Sequence, residues 1–359
     1  MESQDSSIEK TEPNSEIEPG IELLMATVDS LRPLIEFILK DMYPSARGRP
    51  PYPAFCMFKL WILRTFDAPS LRDLHRSMKR SPKLLSMTGL QRVPPHQTMS
   101  NFFIRLGPER VQLIMGVVVK ELMKRWPDFG QTLSIDGTTQ KAWARNNQGL
   151  RSTVDPDARW GYKEHKTSGK IEFIFGYRCT IATDANHETP IIPITTAANA
   201  NESRLYIPLL IRVREMSVNF EVTTADAQYD SRRNNELTIT AFKAKPVIQI
   251  NTRSSKFAKQ TGHHKWDYFL PIRRSTKTEP CDEWDHYSNL RNASERVNSS
   301  LKLHVGLQTL KTRGLRRVTT FFNLCILTKQ LFALTAARFG LDGSDPKRDF
   351  SRSVLPWCH

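Results

Sequence analysis

QTLSIDGT, residues 131–138, is the stretch on which the reading of this chain turns. Apolar Leu133 and Ile135 lead into a single acid, Asp136, followed by Gly137. A short β-branched and apolar run closed by a turn signal marks a strand, here with a carboxylate at its carboxyl end. Four further stretches have the same texture: FIFGYRCTIATDA (173–185), TPIIPITTA (189–197), FEVTTADA (220–227) and PVIQIN (246–251). Spacings of three and four predict helices over 203–216, between the third and fourth strands, and 231–243, between the fourth and fifth. Two more helices are expected over 291–304 and 316–339.

Three strands, a helix, a strand, a helix, a strand and closing helices make an α/β protein with a mixed sheet. That order fits the ribonuclease-H-like arrangement, in which the first and fourth strands lie side by side at the sheet centre. Upstream the texture is all-α: 21–42, 54–66, 71–78, 96–106 and 108–126 carry apolar residues at helical spacing. The segments 70–80 (SLRDLHRSMKR) and 96–106 (HQTMSNFFIRL) suit a helix-turn-helix with Gln97, Ser100, Asn101 and Arg105 facing DNA. They equally suit a plain helical bundle with polar outer faces. Four regions follow: a disordered acidic tail (1–20), a helical domain (21–126), an α/β domain (127–340) and a tail (341–359).

The chain of 359 residues carries a formal net charge of +15, and its pI is near 9.7. Residues 1–22 hold seven acids and one base, so the remaining body carries +21. Such an excess points to a polyanionic partner, although solvated lysines alone produce it in many proteins. The mean hydropathy of −0.46 predicts a soluble protein. The longest uncharged apolar run, 318–328, falls short of the roughly 20 residues of a membrane span. The acidic start lacks the features of a secretory signal. The five cysteines contain no C-x-x-C pair, which argues against a disulfide framework or zinc knuckle and for a reducing compartment.

Asp136 and Asp226 each close a predicted strand, and in open α/β sheets such positions converge on one crevice. A strand-terminal Asp can also simply start a turn. The third acid, Glu295, lies in YSNLRNASERVNSSLK (287–302). With Arg291 at zero on a helical wheel, Glu295 falls near 40°, Lys302 near 20° and Tyr287 near −40° if the helix starts that early. Leu290, Ala293, Val297 and Leu301 cluster between about 200° and 280°, so one face packs while the other gathers Tyr, Arg, Glu and Lys. An exposed Arg291–Glu295 pair explains the acid but not that gathering. Three carboxylates on two strands and a helix suit two magnesium ions, which prefer hard oxygen ligands and leave positions for phosphate.

At these residues the chain resembles the DDE-class transposases of insertion sequences, within the superfamily of insertion sequences four and five and its Tyr-Arg-Glu-Lys motif. Asp136 in LSIDGT matches the first Asp, Asp226 in TTADAQYDS the second, and Glu295 the third acid. Arg291 and Lys302 keep the spacing Arg-x3-Glu-x6-Lys, while Tyr287 lies four residues before Arg291 instead of three. TVDPDARWGYK (153–163), ITTAANANES (194–203) and GLRRVTTFFNLCILTKQLFAL (314–334) resemble further family segments, and 50–106 resembles the N-terminal helical domain.

The resemblance implies Asp136, Asp226 and Glu295 as catalytic, metal-holding residues, with Mg2+ as the cofactor and Mn2+ as a substitute. It implies cutting at the terminal inverted repeats of an element, strand transfer into double-stranded target DNA, and self-association in a synaptic complex. It places the protein in a prokaryotic cytoplasm, at the nucleoid, with no membrane partner. Arg291, Lys302, Tyr287 and Arg296 are the helix residues expected on DNA. The stretch 252–277 adds bases beside aromatics, so Lys265, Trp266, Arg273 and Arg274 are expected there too. A solvated basic loop over one aromatic cluster is the rival for that stretch, and His263–His264 reads as a surface dipeptide. The alternative to an active enzyme is a DNA-binding derivative that keeps the fold without cutting.

Overall fold

Among the described residues six α-helices precede the first strand: α1 (Pro19–Ser30), α2 (Arg32–Leu39), α3 (Ala54–Asp67), α4 (Leu71–Arg80), α5 (Pro82–Thr88) and α6 (His96–Arg125). The computed structural model describes residues 19–43, 51–67, 70–144, 154–164, 171–251, 256–262, 264–265 and 282–340. The expected single helix over 21–42 is divided at Leu31, because Pro33 sits in the first turn of α2, where a missing N–H is harmless. α5 was not expected. Its seven residues are too few to show a period, but Ser81 caps it, Pro82 opens it and Gly89 ends it at φ 77°.

α5 and the 89–95 connector separate α4 from α6, so the expected helix-turn-helix pairing of 70–80 with 96–106 is not formed by a tight turn. Gln97, Asn101 and Arg105 are exposed, while Met99, Phe102, Phe103 and Leu106 face the core. The two segments expected at 96–106 and 108–126 run together as α6, with Gly107 breaking the helical geometry between them at φ 64°, ψ 167°.

The sheet is built around β1 (Thr132–Lys141). Its other strands are β2 (Arg159–Glu164), β3 (Ile171–Asp184), β4 (Thr189–Ala197), β5 (Val222–Ala225) and β6 (Lys245–Ile248). β1 pairs antiparallel with β3 and parallel with β5, and β5 pairs parallel with β6. β3 is long enough to share its far edge, its first half with β2 and its second with β4. Without β2 the order is β4-β3-β1-β5-β6, the ribonuclease-H-like sheet, with the first and fourth expected strands adjacent at its centre. β2 was not expected as a strand, because its aromatic face is turned to solvent: Trp160 is 45% and Tyr162 68% exposed. Gly161 is required there, since a Cβ would meet the Ala198 carbonyl oxygen at 2.4 Å.

Parallel pairing demands crossovers, and α7 (Tyr206–Glu215) and α8 (Arg232–Thr240) supply them on one face. Next come α9 (Lys256–Thr261), α10 (Asp282–Leu290), α11 (Asn292–Leu303) and α12 (Leu315–Phe339). α11 packs against β1 and β3, and α12 against β4 and α6, with further contacts to α1 and α3. Thr335 Oγ1 donates to Thr27 Oγ1 at 2.9 Å, and the hydroxyls of Thr65 and Thr328 bond at 2.7 Å. On the sheet side, Gln330 Nε2 donates to the carbonyls of Pro190 and Ile191. Among the described residues α12 alone is long and apolar enough to cross a membrane, and most of that apolar stretch is buried in the protein.

Candidate active site

Ile135 pairs with Ala225, so Asp136 on β1 and Asp226 just after β5 stand beside each other where the parallel pairing of the two strands ends. Asp226 follows the end of its strand as expected, but Asp136 does not close β1, which runs on to Lys141 because it keeps its antiparallel partner β3. Asp226 Oδ1 accepts from the Gln228 N–H at 2.9 Å and so opens a single turn, Ala227–Tyr229. Ser134, one pleat before Asp136 on the same face, donates from Oγ to the Arg291 carbonyl at 2.8 Å. That bond fixes the start of α11 over β1. α11 then buries Ala293, Val297 and Leu301, as its wheel predicts, and leaves Glu295 outward.

The acids do not close on one point. Among the described residues, no three carboxylate, imidazole or thiol groups converge tightly enough to hold an ion as they stand. The Glu295 side chain is 56% exposed and pairs with Arg291 Nη1 at 2.8 Å. An exposed pair of this kind is worth at most about 1 kcal/mol, so it restrains Glu295 weakly. Asp136 Oδ2 accepts from Asn298 Nδ2 at 3.0 Å, while the buried Asn298 Oδ1 has no hydrogen-bond partner. Asn298 carries no sequence signal beyond lying three residues after Glu295. An orphaned acceptor beside hard carboxylates is a donor set that fits a divalent cation.

Burial pushes the Asp136 carboxyl up to about 7, and the charges of Asp226, Glu202 and Glu295 act in the same direction against the Gly137 backbone N–H. A carboxyl with a raised folded pKa binds more protons in the native state than in the unfolded one. In the absence of divalent ions, this group therefore lowers stability as pH rises from about 4 to about 7. Asp136→Asn removes that slope. With chelator present, the melting midpoint of the variant should gain on the natural protein across that window and exceed it at pH 8. Parallel midpoint curves for the two proteins would contradict it.

The other expected site residues scatter. Arg291 is the N-cap of α11 and shares the acid face. Tyr287 belongs to α10, across the break at Arg291, so the wheel does not extend to it; its ring meets His286 edge-on. Arg296 pairs with Glu188 in the β3–β4 turn at 2.7 Å, away from the acids. Lys302 lies two turns beyond Glu295 and is half-buried. Lys265 is exposed, whereas Trp266, Arg273, Arg274 and His263 lie outside the described residues. His264 is no surface residue: its side chain is 7% exposed, and Nε2 lies 2.9 Å from the buried Asp230 Oδ2. Glu202, which the sequence did not single out, stands behind Gly137; burial raises its carboxyl above the usual range.

The transposase DDE domain model matches residues 127–328, and the transposase domain (DUF772) model matches residues 12–105. No curated protein matches the chain. Among solved structures, the piggyBac transposase synaptic complex with hairpin DNA is similar at 12% identity and a TM-score of 0.46, over 95% of this chain and 80% of that one. The Mos1 transposase paired-end complex with left transposon end is similar at 13% identity and a TM-score of 0.20, over 71% of this chain and 81% of that one. The Mos1 mariner paired-end complex with Mn gives 12% identity and a TM-score of 0.19, over 84% and 100%. With two acids side by side on neighbouring strands, a third on the helix above them, and more than half its length matched by the domain model, the chain belongs to the transposase DDE domain family.

Proposed function

We propose that this protein binds the ends of an insertion sequence, within the superfamily of insertion sequences four and five, cuts DNA phosphodiesters there and joins the freed ends to target DNA. The observation that carries this reading is the juxtaposition of Asp136 and Asp226 under the helix of Glu295. These three would hold divalent ions, magnesium in the cell and manganese in its place. Such ions, when bound, supply Lewis-acid charge to the scissile phosphate and the leaving oxygen.

The chain's own residues do the rest. Arg291 and Lys302 share the acid face of α11 by helical spacing and bind phosphate charge beside it. The body charge of +21 holds the duplex, and the exposed face of Gln97, Asn101 and Arg105 on α6 is the surface offered to the element ends. The protein self-associates on paired ends and acts in the cytoplasm at the nucleoid. The test is incubation of the purified protein with its own element ends and Mg2+. Ends cut only with the ion present support the reading; ends bound but never cut, in Mg2+ or Mn2+, favour the non-cutting derivative.

Lys302 separates a phosphate contact from an ordinary surface lysine. A lost bond to a charged group costs about 1.5–3 kcal/mol, whereas an exposed ion pair on a helix is worth about 0.3–0.5 kcal/mol. Lys302→Ala should therefore slow end cleavage at least about tenfold with a nearly unchanged melting midpoint. Cleavage at the natural rate would return that stripe to solvent.

A further inference from the structure

Glu202 lies in the turn Glu202–Leu205 that leads into α7, on the opposite side of β1 from the Asp136 side chain. Its side chain is 13% exposed and both its oxygens are engaged. Oε1 pairs with Arg178 Nη1 on β3 at 2.7 Å, and Oε2 accepts from the Tyr229 hydroxyl at 3.1 Å. Tyr229 is fully buried and closes the turn that Asp226 opens. The Glu202 carboxylate also sits against Asp136's neighbour, since a Cβ at Gly137 would come 3.0 Å from Oε2. Further bonds hold the assembly. Arg178 Nη1 donates to the Ala200 carbonyl at 2.9 Å, and Asn234 Nδ2 joins the Ser203 and Tyr229 carbonyls.

From this geometry we infer that Glu202 is a positioning residue: it ties the turn carrying Asp226 to β3, the strand paired with β1 alongside Asp136, and does not itself hold the ion. The inference rests on the proposed acid site and adds to it the element that sets the spacing of its two strand acids. Three features suit that task. The glutamate joins Arg178 on β3 to Tyr229 in the turn after β5, where the pairing of β1 with β5 has already ended at Ile135 and Ala225. Its charge is balanced by Arg178, so a carboxylate tolerates the burial. Gly137 removes the side chain that would otherwise occupy the place of Oε2. A carboxylate with both oxygens held at hydrogen-bond distance sets a distance between its partners, as supporting residues do around metal ligands.

The test measures Mn2+ binding to the full-length protein by the signal of free Mn2+, together with end cleavage against Mn2+ concentration. Glu202→Ala and Tyr229→Phe should weaken Mn2+ binding, the first about tenfold or more and the second about threefold. The loss should lie in the Mn2+ concentration needed, with the rate at saturating Mn2+ within about threefold of natural. Glu202→Gln, which keeps a neutral acceptor for Arg178 and a polar partner for Tyr229, should restore most of what alanine loses. Glutamine as damaging as alanine would make the carboxylate an ion ligand and overturn the inference; so would natural Mn2+ binding by both the alanine and phenylalanine variants. If the alanine variant fails to fold, Tyr229→Phe, which deletes a single hydroxyl, decides. Asp136→Asn in the same titration keeps the two readings apart. Its loss of binding upholds the acid site whatever Glu202 does, and its retention of binding sinks the acid site and the clamp with it.

Discussion

Asp136→Asn is expected to abolish end cleavage while the protein still binds its DNA ends. The expectation follows from place and charge together. Burial lifts the Asp136 carboxyl to about 7, with smaller help from the charges of Asp226, Glu202 and Glu295, and Asp136 touches the orphaned Asn298. Asparagine preserves the size of the side chain and can still accept the Asn298 bond, so the surroundings stay in place. It removes the negative charge on which ion binding depends. Ion-assisted stabilisation of a phosphoryl transition state amounts to several kcal/mol, so a loss of at least about a thousandfold in rate is expected. The proposed phosphate contacts along the basic body do not involve Asp136 and should keep the ends bound. Cleavage and gel shift on one preparation check both halves; cleavage at the natural rate would remove Asp136 from the site.

The second large effect concerns stability. Phe322 on α12 is fully buried, and Phe322→Ala should cost about 3–5 kcal/mol, the range for a core phenylalanine truncated to alanine. Because α12 packs on α6 and on β4, the loss should appear as one earlier unfolding transition shared by the helical domain and the sheet. Calorimetry decides it: two separated transitions, with only one moved by the mutation, would show that the halves are independent.

The strands were legible where β-branched runs fill a buried sheet. TPIIPITTA begins and ends where β4 does. Legibility failed where a strand shows its aromatic side to solvent, as in β2, and where a helix is shorter than two turns of its own period, as in α5. The strand acids could be found because a carboxylate at the end of an apolar run is a local pattern. Glu202 and Asn298 could not, because their meaning lies in partners far along the chain: Arg178 and Tyr229 for one, Asp136 for the other. Tyr287 and Arg296 stand apart from the acids for a converse reason. A wheel drawn through Arg291 assumes an unbroken helix, and there the hydrogen bonding tightens to three-residue spacing while the Arg291 carbonyl also accepts from Ser134. Adjacency to Glu295 likewise does not keep Arg296 near the acids, since a step of about 100° carries it to Glu188.

α12 is a shared last layer, and that has a consequence for how the molecule comes into being. The bonds that join its residues to α1 and α3 span 308 and 263 positions of chain. Closing contacts so distant is slow, and each core stands open along one side until they form. On a ribosome, both the helical domain and the sheet must wait for residues 315–339 before either is sealed, with apolar surface exposed meanwhile. The two halves of the newborn protein therefore mature at the same moment, and a nascent chain that stops before α12 completes neither.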